Sequence, residues 1–219
     1  MSIMFRSIVS PFAGLLLSLA MPPARADAPG FIETQALFEQ SLRGDSAASQ
    51  KAYAGFRKLV RDYPDNPLYL AYLGANETLF ARDDWRPWKR IKFLDRGLDH
   101  IDKALAMLGP EHDNQYERLS VISIETRLVA LTTFLKVPAW SNRLQEARDL
   151  FVETLAQPVF AKAPPEMRQR IYLQGADIAA RDGDKAGEIE YLKKALDVRP
   201  DGYYADKIRQ RLKKAAAAQ

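Results

Sequence analysis

From residue 30 onward, apolar residues recur at spacings of three and four, and no run alternates in the manner of a strand bounded by turns. The pattern predicts helices throughout and no β-hairpin. It is clearest over 114–136. There Val121, Ile124, Leu128, Leu131 and Leu135 form one stripe, and Leu119, Ile122, Val129 and Phe134 form a second. Apolar faces on two sides belong to a helix buried in the middle of a stack. Prolines 64, 67, 110, 138, 158, 164, 165 and 200 fall between helical stretches, and Pro87 is the exception. The punctuation predicts helical hairpins over about 31–63, 67–108, 114–157 and 166–199, followed by a capping helix over 203–214. In that last helix Tyr204, Ile208 and Leu212 would face inward and the basic residues outward.

Several segments share a second pattern. In 52–67, Ala52 permits close helix approach, Phe56 fills the gap beside it, and Leu59 follows at helical spacing. Tyr63-Pro64-Asp65-Asn66-Pro67 then breaks the helix and supplies both an N-cap and a first-turn proline for the next one. Leu70, Leu73 and Gly74 on one helix pair with Gly97, Ile101 and Ala104 on another. Ala147, Phe151 and Leu155 repeat the small, aromatic, apolar order. Tyr172, Gly183-Asp184, Leu192, Ala195 and Pro200 give the clearest copy, although Gly175-Ala176 and Glu188 depart from it. These residues resemble the tetratricopeptide repeat (TPR) over roughly 31–214. The resemblance implies an all-α fold, a right-handed array of antiparallel helical hairpins (a TPR-like α-solenoid) of about four hairpins plus the capping helix. Counted from Gly74, the next small residue is due 12 positions on, at 86, but arrives at 97, so the turn of the second hairpin is expected to carry an 11-residue insertion.

The resemblance also implies a binding groove on the first helix of each hairpin. It would be formed by Leu68, Ala71, Ala75, Thr78 and Leu79 on one helix and by Arg170, Leu173, Asp177 and Arg181 on another. In chaperone-binding members, basic and Asn residues at the positions of Ala71 and Ala75 clamp a terminal carboxylate, so that mode is not expected here. The insertion is a second candidate surface. Trp85, Arg86, Trp88, Lys89, Arg90 and Lys92 crowd into it, and Trp and Arg are enriched at binding hot spots. Either these residues contact a partner, or the two Trp fold back as an apolar plug with the cations as its rim. Glu125, in an apolar stretch, either pairs with a neighbouring helix or faces the groove.

Nothing specifies a chemistry. His100 and His112 read as surface residues without a paired-ligand spacing, no phosphate-binding glycine loop or nucleophile elbow exists, and no cofactor is implied. The chain has no cysteine, which removes disulfides, thiolate metal sites and a lipid-modified N-terminus. Residues 1–26 read as a cleaved signal peptide. Arg6 precedes an apolar run over Ile8–Met21, Pro22 and Pro23 break it, and Ala24-Arg25-Ala26 offers a cleavage site before Asp27. The run falls short of the roughly 20 residues that span a bilayer as a helix. Lys and Arg number 32 against 28 acids; removing Arg6 and Arg25 leaves 30 against 28, which gives no support to nucleic-acid binding. The expectation is a periplasmic adaptor or scaffold that binds a protein or peptide, keeps no membrane anchor after cleavage, and is not an enzyme. The alternative is a small-ligand-binding module of an envelope transport system.

Overall fold

The computed structural model describes residues 28–217; the proposed leader lies outside them. Within the described residues nine α-helices follow one another: α1 (Phe31–Leu42), α2 (Ser46–Asp62), α3 (Pro67–Asp83), α4 (Pro87–Ala106), α5 (Ile122–Phe134), α6 (Leu144–Ala156), α7 (Pro165–Arg181), α8 (Lys185–Val198) and α9 (Ala205–Ala216). They pack in sequential pairs, α1 with α2, α3 with α4, α5 with α6 and α7 with α8, and α9 covers α8. The fold is all-α, an array of helical hairpins closed by a last helix.

The turn chemistry explains the boundaries. The Asp45 carboxylate accepts from Ala48 N at 2.9 Å, the Asn66 side chain from Leu68 N at 3.0 Å, and the Asp184 carboxylate from Gly187 N at 2.9 Å. Each satisfies an otherwise orphaned helix N–H. Between α7 and α8, Gly183 adopts φ +74°, a backbone region that a side chain disfavours.

Every residue of α3 from Pro67 to Glu77 is buried, because α1, α2, α4 and α5 all pack on it. Its crossing with α4 is set by two glycines. A Cβ on Gly74 would lie 2.5 Å from the Gly97 carbonyl oxygen, and one on Gly97 would lie 2.7 Å from that of Gly74. Phe31, Phe38, Phe56, Tyr69 and Tyr72 fill the N-terminal core, and Ile101, Ile124, Leu128, Leu131 and Ile171 anchor the central one. A smaller cluster of Ala176, Leu192, Ala195 and Ile208 seats α9.

Three expectations are corrected here. The excess residues after Gly74 are not a loop. Only Asp84–Arg86 joins α3 to α4, and α4 runs for 20 residues from Pro87. Pro87 takes the first helical position, where its fixed φ suits and no N–H is missed. The Asp84 carboxylate accepts from Arg86 N at 2.9 Å and anchors the joint. Residues 114–121 are not helical either. Tyr116–Glu117 pairs antiparallel with Ser120–Val121 in a minimal β-hairpin, and α5 starts at Ile122. Leu119 therefore leaves the predicted stripe and stands 84% exposed at the hairpin tip. Glu117 is drawn inward instead, where its carboxylate accepts from Ala28 N at 3.0 Å and from the Tyr69 hydroxyl.

Candidate functional site

The first helices of the four hairpins stack in order, α1 on α3, α3 on α5 and α5 on α7, and residues of all four meet at one recess. It is lined by Phe38 of α1, Tyr72 and Ala75 of α3, Thr132 and Thr133 of α5, and Arg170 of α7. A polar seam adjoins it through Gln35 and Tyr72. The Tyr72 hydroxyl donates to Glu125 Oε1 at 2.6 Å, and Gln35 Nε2 donates to Tyr72 at 2.7 Å and to Glu125 at 3.1 Å. Arg118 Nη1 reaches Gln35 Oε1 at 2.8 Å. Burial, then the adjacent Glu125 carboxylate, push the Tyr72 phenol well above its ordinary value, so the hydroxyl stays a donor.

A second opening lies at the hairpin-turn edge, between the ends of α1, α3 and α5 and the first turns of α4. It is an apolar cavity of about 190 Å³ lined by Leu42, Leu79, Leu94, Val137, Pro138 and Trp140. Arg82, Arg90 and Lys136 ring it. Two of these cations are engaged within the protein: Arg82 pairs with Asp83 at 2.6 Å and donates to Ser41 O at 3.0 Å, and Arg90 Nε donates to Ala81 O at 3.1 Å. Lys136 and Arg170, both on the inner face, have no side-chain hydrogen bond or ion pair among the described residues. The Lys136 amine is held below its usual range, first by partial desolvation against the neighbouring helices, although the residue is exposed, and then by Arg170. Asp177 opposes this, and Arg82 and Lys207 add to it. The inner face thus offers apolar recesses beside unpaired positive charge.

The structure distributes the sequence candidates over several environments. Leu68 and Ala71 are fully buried and cannot line a groove, because α3 is enclosed by four helices. Thr78 and Leu79 reach the cavity. Glu125 is 4% exposed and belongs to the polar seam. Asp177 pairs with Arg211 at 2.6 Å, and Arg181 donates to the Leu135 carbonyl. Of the α4 cluster, Arg90 turns toward the cavity, and Arg86 is tied to Asp84 at 2.7 Å with its guanidinium 5.8 Å from the Trp85 ring centre. No plug forms: Trp85 is 82% and Trp88 65% exposed, because the lengthened α4 carries them beyond the core. Lys89 and Lys92 have no side-chain partner among the described residues.

The histidines also differ from expectation. His112 is buried, and its Nδ1 accepts from Gly109 N at 3.0 Å. His100 is half-buried, 2.8 Å from the buried Glu77 carboxylate. Among the described residues no group of His, Asp and Glu is disposed to hold a metal ion. Sequence reading missed Lys136 and Trp140, whose only signal was a Lys and a Trp flanking a proline turn.

No protein-family model matches the chain, and no curated protein is similar to it. Among solved structures it is similar to a thermophilic TPR protein of Thermus thermophilus, with a TM-score of 0.57 at 16% identity over 84% of this chain and 81% of that one. The likeness is one of fold alone, a helical repeat array. No described helix is long and apolar enough to cross a membrane.

Proposed function

We propose that the protein is a periplasmic, non-catalytic scaffold, exported through removal of residues 1–26, that holds a segment of a partner protein on its inner face. The observation that carries this reading is the apolar cavity under Trp140 with unpaired Lys136 at its mouth and unpaired Arg170 in the adjoining recess. An apolar side chain of the partner fills the cavity, and a neighbouring carboxylate meets the cations. Unpaired charge beside a partly desolvated surface favours an acidic partner and disfavours a basic one. At about 190 Å³ the cavity suits one side chain better than a free small ligand, whose sites run to about 300–1,000 Å³. That weighs against this cavity as the seat of a small-ligand module.

The test uses protein recovered from the periplasm, whose N-terminal sequence should begin at Asp27; recovery from the membrane fraction with Met1 intact would overturn the export reading. Selection from a random peptide library should enrich sequences with a large apolar residue close to Asp or Glu. Trp140→Ala and Lys136→Gln should each weaken the selected peptides by about tenfold, the effect of about 1.4 kcal/mol. Peptides with no such consensus, or affinities untouched by both changes, would overturn the binding reading.

A further inference from the structure

All three tryptophans of the chain stand on the hairpin-turn edge with their rings in solvent. Trp85 occupies the short α3–α4 joint, Trp88 the first turn of α4, and Trp140, 65% exposed, the α5–α6 turn across the cavity mouth from Arg90. Trp88, Ile91 and Lys92 follow at i, i+3 and i+4, so they share one face of α4, and Ile91 is 50% exposed. The next residue on that face is Asp95, one turn further along, which marks the end of the patch.

The charges along this edge do not cancel. Asp83 is paired with Arg82, and Asp84 with Arg86. Lys89 and Lys92 are left without an ion pair among the described residues, and Arg90 is bound only to a backbone carbonyl. The edge is therefore a row of protruding indoles and one isoleucine set among cations that outnumber the acids, with Lys89 also near enough to Asp84 to favour its ionised form.

We propose that this edge rests on an anionic lipid surface, with Trp85, Trp88 and Ile91 entering the headgroup layer and Lys89 and Lys92 against lipid phosphates. Indole rings settle at the membrane interface because their apolar body and N–H suit that boundary. Lysine beside tryptophan suits a membrane better than a protein partner, since protein interfaces are depleted of lysine while anionic bilayers attract it. The rings of Trp85 and Trp88 also project into solvent, 82% and 65% exposed, and neither lines the recess beside them between Phe80, Asp84, Lys89 and Phe93. The proposal does not depend on the inner-face reading: it rests on Trp85, Trp88, Lys89, Ile91 and Lys92, none of which lines the apolar cavity.

The experiment uses the chain beginning at Asp27, which contains every described residue and excludes the apolar N-terminal run. Its three tryptophans all lie on the edge, so intrinsic fluorescence reports on it directly. Vesicles of phosphatidylcholine alone are compared with vesicles containing phosphatidylglycerol, by co-sedimentation and emission maximum. The anionic vesicles should sediment the protein and shift its emission to the blue, less so as salt rises. Lys89→Gln and Lys92→Gln should each reduce partition about fivefold. The double change Trp85→Ala, Trp88→Ala should remove it while leaving the thermal midpoint in place, since neither ring is packed. Failure of the anionic vesicles to sediment the protein, or partition that survives both sets of changes, overturns the proposal. So does an emission shift that, in a Trp140→Phe background, appears with the selected peptides and not with vesicles, which would assign the edge to a protein.

Discussion

Glu125 is one of several carboxylates buried in the array, and its neighbours show how a polar group is kept there. Its Oε1 receives hydrogen bonds from Tyr72 on α3 and Gln35 on α1, so one acceptor ties together three successive first helices. An unsatisfied buried group costs more than a bond contributes. Tyr72→Phe removes the shorter of these two bonds without changing the ring packing against Phe56. It should cost about 1–3 kcal/mol in urea unfolding; an unchanged midpoint would show that the seam holds nothing together. Glu125 was conspicuous in the sequence as a carboxylate among apolar residues. Its partners were not, because they lie 90 and 53 positions away. His112 misled for a related reason. Flanking Glu111 and Asp113 suggested solvent, but a helical turn turns the ring inward to meet Gly109 N.

At the scale of elements, the repeat register was legible wherever small residues are forced by backbone contact. Gly74 and Gly97 were matched by spacing, and they meet carbonyl to Cα. Gly97→Ala sets a methyl against the Gly74 backbone, and Ala104→Leu overfills a fully buried site on the same helix. Each should destabilise by about 1–3 kcal/mol; unchanged unfolding midpoints for both would mean that α3 and α4 cross elsewhere. The excess of residues between these glycines was also legible, but its conformation was not. A count measures chain length, and Trp85 to Lys92 contains one proline that reads equally well as a loop marker or as the first residue of a helix. The small β-hairpin was hidden because Arg118, at φ 54°, occupies a left-handed position that Gly or Asn usually signals.

For the whole molecule, the C-terminal end is the thinnest part of the core, a few apolar residues between α7, α8 and α9. Ion pairs supplement it. Arg211 of α9 reaches Glu188 at 2.9 Å and Asp177 at 2.6 Å, and Lys185 reaches Glu188 at 3.2 Å. Burial works against the ionised form of Glu188, but Arg211 and Lys185 outweigh it and hold the carboxyl below its ordinary 4.5. A depressed folded value means that the stabilisation is complete above the ordinary range and fades as pH falls through the folded value. Stability should therefore drop between about pH 6 and about pH 3, with amide exchange in α9 accelerating first. Arg211→Gln should flatten that dependence by removing the main cation. An unaltered pH profile in the variant would place the acid sensitivity elsewhere.

The sequence alone determined the helical class, the small-residue register and the absence of cysteine chemistry, since helical period and steric exclusion are written in the order of neighbouring residues. Tertiary structure decided which of those residues remain available. Leu68, a groove position by register, disappeared because four helices enclose α3, whereas Trp85 and Trp88 stayed exposed because α4 outruns the core that would have covered them. Lys136, Trp140 and Arg170 come together around the inner face only when α5, its following turn and α7 are stacked. No local spacing encodes that meeting, because it depends on how successive hairpins rotate against one another.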